Sequence, residues 1–539
     1  MGKIFGTDGV RGIANKDLTP ELALKLGKAG GLFLQKQAHQ DGNFFVLIGK
    51  DTRISGSMLE SALIAGFNSV GVNIVKLGII TTPAVSYLTD QTDAIGGVMI
   101  SASHNPIEDN GIKFFNKDGF KLTDEQELEI EDYIFGEEEI KTPVGTDVGD
   151  IIVRKKLLKQ YDDHLKNSVD YDFSEFKIVL DCANGSAYEI APQIYKKLGA
   201  EVIAVNDQPN GHQINLNCGS TKPETLVEEV NKHNADLGIA FDGDADRLIM
   251  VDENGNIIDG DRIMAHLALN MMKEDSLKEQ TVVTTRYSNL GLEELLNKNG
   301  VQTVKCKNGD RYVLQKLLEN DFNLGGEKSG HIILLDYNKT GDGVLTSLKV
   351  VEYLKKYDLN LSYIEKLFEP WPQRLINIRV ENKDQLNENN RINKIISKIE
   401  KDFGEKGRIF VRASGTEPVV RVMLEAKKEK MIKQLRSEVQ TSADKSFVES
   451  QVANVQAEID AIIKQNKGLL GTSFGELIAG KTRKEIDNAV AYVETKLEKL
   501  QSDEKDRFAI YKKSGLDRCH SERNFISVFN DGVPFILFF

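Results

Sequence analysis

Three stretches of the chain share one arrangement: a β-branched apolar strand, a polar loop, an amphipathic helix, and a glycine that opens a second strand. The first runs from FFVLIGKDTR through MLESALIAGFNSV to Gly71 and VNIVKLG. The second runs from KIVLDCANGSA through APQIYKKL to Gly199 and AEVIAVN, and the third from TVVTTRYSN through LGLEELLNK to Gly300 and VQTVKC. Strands that alternate with helices of this length predict parallel sheets with crossover helices. Ligands of such sheets collect at the carboxyl ends of the strands. The loops after these strands are therefore where chemistry is expected.

The rest of the chain reads differently. From about Trp371 to Ala426, the strands RLINIRV, RIFVRAS and VVRVMLEA surround a polar helix and the turn GTEP, which predicts a small α+β unit. Between the first two blocks, an acidic helix begins at Thr123 with Gln126 completing a capping box. Its run from Asp124 to Glu139 reads as a solvated face. Beyond about residue 446 the α/β pattern stops. Val448, Val452, Val455, Ile459 and Ile462 form one apolar seam of heptad spacing, and Ile486, Val490, Val493, Leu497 and Leu500 form another, so a helical hairpin or short coiled coil is expected. The terminal FISVFNDGVPFILFF fits a small hairpin, a packing strand or an aggregation-prone segment.

Composition narrows the function. The 539 residues carry a net charge of −13, which argues against a broad basic face for nucleic acid. Any anionic ligand must meet a local cluster of cations. The four cysteines, Cys182, Cys218, Cys306 and Cys519, are far apart with no CxxC pair, so reduced structural thiols are expected rather than a zinc site. The N-terminus has no apolar run behind its first lysine, and no apolar stretch reaches the ~18 residues of a membrane span. Cytoplasmic residence and no membrane partner are the expectation.

Four loops carry candidate chemistry. Asp242, Asp244 and Asp246 alternate in a loop after the strand LGIAF, with Arg247 next. Three carboxylates so close converge only around a cation. An EF-hand is disfavoured, because Arg247 occupies the position of the turn glycine and LIMV continues as a strand. Ser101-Ala-Ser103-His104-Asn105-Pro106 ends the strand IGGVMI. That position suits a nucleophilic or phosphorylated serine, although a turn held by Ser and Asn side chains is equally compatible. Arg412, Ser414, Gly415, Thr416 and Arg421 offer hydroxyls, backbone N–H groups and two guanidinium groups, an inventory for a phosphate monoester or simply a hairpin turn with surface arginines. Glu327, Ser329 and His331 lie in a glycine-rich loop that suits sugar hydroxyls, although an isolated histidine is more often structural.

A serine that can carry a phosphoryl group, a metal to neutralise it, polar groups for a polyol and an arginine site for a second phosphate together fit a mutase. Such an enzyme holds one phosphate while donating another, then rebinds the bisphosphate turned around. The chain resembles the α-D-phosphohexomutase superfamily over roughly residues 1 to 445. FGTDGVRG, ISASHNP, NGIKFF, FDGDADR, GDRYV, GGEKSGH, TGDG and VRASGTEPVVRVMLEA appear in the family's order. Ala413 stands where the family commonly has proline, and Asn308 where an apolar residue is usual.

The resemblance implies three related mixed α/β domains (1–155, 156–258 and 259–370) and a fourth small α+β domain (371–445) around a central cleft; residues 446–539 lie outside it and are expected, from their apolar seams, to form a helical extension of unknown role. It implies a phosphorylated Ser103, Mg²⁺ on Asp242, Asp244, Asp246 and a phosphoserine oxygen, and Arg11, His104, Lys113 and Arg247 beside the transferring phosphate. Lys113 and His331 are the candidates for general acid or base. Asp310, Arg311, Glu327 and Ser329 would face the sugar, with Arg412, Ser414, Gly415, Thr416 and Arg421 at the distal phosphate. GTDGVRG and TGDG favour the amino-sugar branch, which converts glucosamine 6-phosphate to glucosamine 1-phosphate through glucosamine 1,6-bisphosphate, toward UDP-N-acetylglucosamine and peptidoglycan precursors. A glucose or mannose phosphomutase is the alternative. A homodimer and a protein partner for the C-terminal helices are left open.

Overall fold

The computed structural model describes residues 4–6, 8–38, 44–136, 142–154, 156–379, 393, 396–397, 400–401, 403–413, 419–429, 527–530 and 533–536. The chain divides into two compact units, Met1–Arg436 and Ser437–Phe539.

Each of the three repeats forms the parallel strand pair that its pattern predicts. In the first sheet β1 (Val10–Ile13), β2 (Phe45–Lys50), β3 (Asn73–Ile79), β4 (Gly96–Ile100), β5 (Asp109–Asn116) and β6 (Ile151–Ile152) lie in the order β1-β5-β4-β2-β3-β6. The second holds β7 (Lys177–Asp181), β8 (Glu201–Val205), β9 (Leu237–Phe241), β10 (Leu248–Asp252) and β11 (Ile257–Ile258) in the order β11-β10-β9-β7-β8. The third holds β12 (Thr281–Thr285), β13 (Gln302–Cys306), β14 (Leu324–Gly326) and β15 (Ile332–Leu334) in the order β13-β12-β14-β15. The pairs β2/β3, β7/β8 and β12/β13 are parallel. Gly71, Gly199 and Gly300, which stand between helix and second strand, take φ of 83°, 95° and 79°. This left-handed turn admits glycine without the Cβ clash.

Antiparallel strands added to each sheet place the loops. β5 pairs with both β4 and β1, setting Lys113 opposite Met99 and Arg11 opposite Gly111, so two distant cations flank the end of β4. β9 turns back into β10 with Phe241 opposite Leu248, so the acidic loop is the tip of a hairpin. β14 and β15 likewise bracket the loop from Glu327 to His331. Buried apolar side chains from all three sheets, including Leu47, Leu180, Leu248, Val282 and Leu324, form one continuous core.

The fourth block is an antiparallel sheet, β16 (Gln373–Arg379), β17 (Gly407–Ala413) and β18 (Val419–Ala426), ordered β16-β18-β17. The Asn289 side chain anchors it to the third, accepting from the Trp371 N–H at 2.8 Å and donating to the Trp371 carbonyl at 2.9 Å.

The acidic helix Asp124–Phe135 has its capping box: the Gln126 N–H donates to Thr123 Oγ1 at 3.3 Å, and the Thr123 N–H donates to Gln126 Oε1 at 3.0 Å. Its face is not uniformly solvated. Glu127 and Glu131 are buried, and Glu131 accepts from the backbone N–H groups of Ile4 and Phe5 at 2.8 and 3.0 Å. The seams between residues 448 and 500 lie outside the described residues. The second unit is described by the hairpin β19 (Ser527–Asn530) and β20 (Val533–Ile536). Among the described residues, no helix is long and apolar enough to cross a membrane.

Gly330 tests how the third block docks on the second. Its φ is 89°, and a Cβ there would lie 1.9 Å from the Leu248 carbonyl oxygen, whereas one on Gly300 would meet nothing within 4 Å. Gly330→Ala is expected to destabilise by roughly 1–3 kcal/mol more than Gly300→Ala. Urea midpoints of the two variants check this, and equal losses would contradict the docking.

Candidate active site

The serine loop begins where β4 ends. Ser103 is nearly fully buried at φ 53°, a left-handed conformation costly for a non-glycine residue, so its surroundings must impose it. Arg53 does so. Its guanidinium is fully buried, lies 3.0 Å from Asp51 Oδ2, and donates to the carbonyls of Ser103 at 3.0 Å, Asn105 at 2.7 Å and Asp109 at 3.0 Å. Ser101 Oγ donates to Asp51 at 2.6 Å and accepts from the Ser103 N–H at 2.9 Å. Asp51 and Arg53 were not singled out by sequence reasoning. Their signal was the polar KDTR that closes the first repeat strand.

Ser103 Oγ donates to Asp242 Oδ2 at 2.5 Å and lies 3.3 Å from His104 Nδ1. Burial, helped by Arg247 and Arg11, pushes the His104 imidazole down to about 3, so it is neutral around physiological pH. The backbone allows this approach between blocks because Gly243 has no side chain: a Cβ there would stand 2.6 Å from the Ser103 carbonyl oxygen.

Asp242, Asp244 and Asp246 bring carboxylate oxygens within 4.8 Å of one another, all buried. Burial first, then repulsion from Asp246 and Asp244, pushes Asp242 well above the usual carboxylate range. Asp244 goes the other way. Burial would raise it, but Lys113 Nζ at 2.7 Å and Thr82 Oγ1 at 2.5 Å hold it low. Burial likewise opposes the charge on Lys113, yet Asp244, Asp8 and Asp246 outweigh it and raise its pKa. The buried Oδ1 atoms of Asp244 and Asp246 have no hydrogen-bond partner. Hard oxygen donors left unpaired in this way fit a divalent cation.

Further charges surround this centre. Arg247 Nε lies 3.9 Å from Asp246 and 4.0 Å from Asp242. Arg11 pairs with Asp8, which also lies 3.3 Å from Lys113 and 2.6 Å from Lys121 Nζ. Neither Asp8 nor Lys121 was singled out as a site residue in the sequence: Asp8 lies within the FGTDGVRG motif, whereas Lys121 does not stand out from ordinary surface charge. His331 is buried with neither ring nitrogen in a hydrogen bond, its Nε2 3.8 Å from Asp246 and 3.8 Å from Asp310. Glu327 accepts from the Gly309 N–H at 3.0 Å, and Ser329 Oγ lies 3.5 Å from its other oxygen. Arg311 turns toward the acidic helix, pairing with Asp124 and lying 3.5 Å from Glu127.

In the fourth sheet Arg412 and Arg421 are cross-strand partners, and Arg412 Nε donates to Tyr287 Oη at 2.8 Å. Ser414, Gly415 and Thr416 lie outside the described residues.

In sequence, the chain matches four successive domains of phosphoglucomutases/phosphomannomutases: α/β/α domain I over residues 2–141, domain II over 159–255, domain III over 259–371 and the C-terminal domain over 375–442. The chain belongs to this family, within the phosphohexomutase superfamily, and so to the isomerases. It is 50% identical over 442 residues to phosphoglucosamine mutase from Alkaliphilus oremlandii, covering 81% of this chain and 98% of that one. It is 51% identical over 438 residues to phosphoglucosamine mutase from Clostridioides difficile, covering 81% and 97%. In structure, it resembles a phosphoglucomutase/phosphomannomutase family protein from Burkholderia thailandensis, with a TM-score of 0.69, 22% identity and coverage of 82% and 97%.

If the acidic loop binds a cation, Mg²⁺ at about 100 times its dissociation constant stabilises the fold by about 2.7 kcal/mol. Thermal melting is expected to show this shift in the wild type and to lose it in Asp246→Asn. A shift of equal size in the variant would exclude the loop.

Proposed function

We propose that the chain interconverts glucosamine 6-phosphate and glucosamine 1-phosphate through phosphorylated Ser103 and bound glucosamine 1,6-bisphosphate, toward UDP-N-acetylglucosamine. The observation that carries this reading is the 2.5 Å approach of Ser103 Oγ to Asp242 within a buried triad of carboxylates. Identity of about 50% over nearly the full length of phosphoglucosamine mutases supports the amino sugar as substrate.

Phosphoryl transfer asks mainly for positioning and charge neutralisation. Mg²⁺, held by Asp242, Asp244, Asp246 and a phosphoserine oxygen, would supply divalent charge to offset that of the phosphoryl group. This chain's own residues do the rest. The sugar hydroxyl oxygen attacks phosphorus, the bond from phosphorus to Ser103 Oγ breaks, and its electron pair returns to Oγ. Arg11, Lys113 and Arg247 balance the moving negative charge. Lys113 enters this arrangement already an ammonium ion, held by Asp244, so it serves as a cation here. His331, with neither ring nitrogen taken up in a hydrogen bond, is the group to accept the proton of the hydroxyl. Glu327 and Ser329 orient the sugar, while Arg412, Arg421 and the turn Ser414–Gly415–Thr416 hold the other phosphate. The bisphosphate then turns, and its second phosphate returns to Ser103.

Turnover of glucosamine, glucose and mannose 6-phosphates, with Mg²⁺ and a bisphosphate primer, tests the substrate. The glucosamine compound is expected to be fastest, and a faster hexose phosphate would overturn the assignment. Ser103→Ala is expected to lower turnover by roughly 10³-fold or more. Full activity in that variant would exclude Ser103 as carrier.

A further inference from the structure

Two adjacent residues of domain III, Asp310 and Arg311, meet groups of opposite charge on domain I. Lys121 Nζ pairs with Asp310, while Arg311 pairs with Asp124 and lies 3.5 Å from Glu127. The order of signs makes the contact directional. A shift along it would set Lys121 against Arg311 and Asp310 against Asp124, and both are like-charge encounters that disfavour any other register.

This joint continues into the active centre on both sides. On the domain I side, Lys121 Nζ also binds Asp8 Oδ1 at 2.6 Å, and Asp8 pairs with Arg11 and lies 3.3 Å from Lys113. On the domain III side, Asp310 Oδ2 lies 3.8 Å from His331 Nε2, which lies 3.8 Å from Asp246. Lys121, Asp8 and Asp310 keep only 13%, 21% and 15% of their side chains exposed. Attraction between such groups is strong, but much of it is offset by the water each gives up on closing. Opening returns that water. A contact of this kind fixes a register at little net cost and still lets the cleft open for substrate exchange.

We propose that Lys121 is a positioning residue whose bridge from Asp8 to Asp310 keeps the serine side and the sugar side of the cleft in register while the bisphosphate turns around. The inference rests on the mutase reading. With the bridge weakened, the bisphosphate escapes before it has rephosphorylated Ser103. The enzyme is then left dephosphorylated and depends on added primer.

The experiment uses the full chain with glucosamine 6-phosphate, Mg²⁺ and varied glucosamine 1,6-bisphosphate, and thermal melting confirms folding of each variant. Lys121→Met, which removes the contacts to both Asp8 and Asp310, is expected to raise the primer concentration for half-maximal rate about tenfold, and to release more bisphosphate per turnover. Lys121→Arg is expected to restore most of the loss. Asp310→Asn combined with Lys121→Met is expected to add nothing further, because both break one bridge. A folded Lys121→Met with wild-type primer dependence overturns the proposal, as do fully additive effects in the double variant. If Lys121→Met does not fold, Asp310→Asn and Lys121→Arg carry the same test. Failure of the wild type to turn over any hexose phosphate would instead sink the mutase reading, so the two failures are distinguishable.

Discussion

Buried charge, held in near balance, is the constraint on which the rest of this structure depends. Asp242, Asp244 and Asp246 lie together out of water, and such a cluster persists only with cations against it. Lys113 reaches Asp244 and Arg247 approaches Asp242 and Asp246, yet two carboxylate oxygens stay without a hydrogen bond. The same balance governs the enclosing shell, where Asp8 stands among Arg11, Lys113 and Lys121. A protein with a net charge of −13 repels a phosphorylated sugar at long range. The cations gathered beside the triad offset that field locally.

The charge balance requires close backbone approach between blocks far apart in sequence. Gly243 seats the acidic loop against the serine loop, and Gly330 seats the loop from Glu327 to His331 against the first residue of β10. The buried pair Asp51–Arg53 then holds Ser103 in a conformation it would not adopt alone. Glycine and ion pair thus share one task, placing a hydroxyl against a carboxylate.

Much of this was legible in the sequence. The threefold repeat gave the parallel pairs β2/β3, β7/β8 and β12/β13, because apolar runs, helix period and a glycine break are all local signals. The motif loops were equally readable, since Ser103 and the three aspartates stand at strand ends. What escaped was partnership. Nothing in the sequence pairs Asp8 with Lys121 or aims Arg311 at Asp124, because such contacts depend on how whole blocks dock. The acidic helix is instructive: its charge density suggested a solvated face, whereas Glu127 and Glu131 share a buried face with Ile130. The spacing of three and four from Glu127 to Ile130 and Glu131 was the available signal.

The central claim, that the Ser103 hydroxyl beside Asp242 carries the phosphoryl group, is tested most directly by mass spectrometry of the protein after incubation with glucosamine 1,6-bisphosphate and Mg²⁺. The account predicts a gain of one phosphoryl group, confined to the peptide bearing Ser103 and lost on addition of excess glucosamine 6-phosphate. A phosphoryl group on another residue, or one on Ser103 that the sugar phosphate cannot remove, would contradict it.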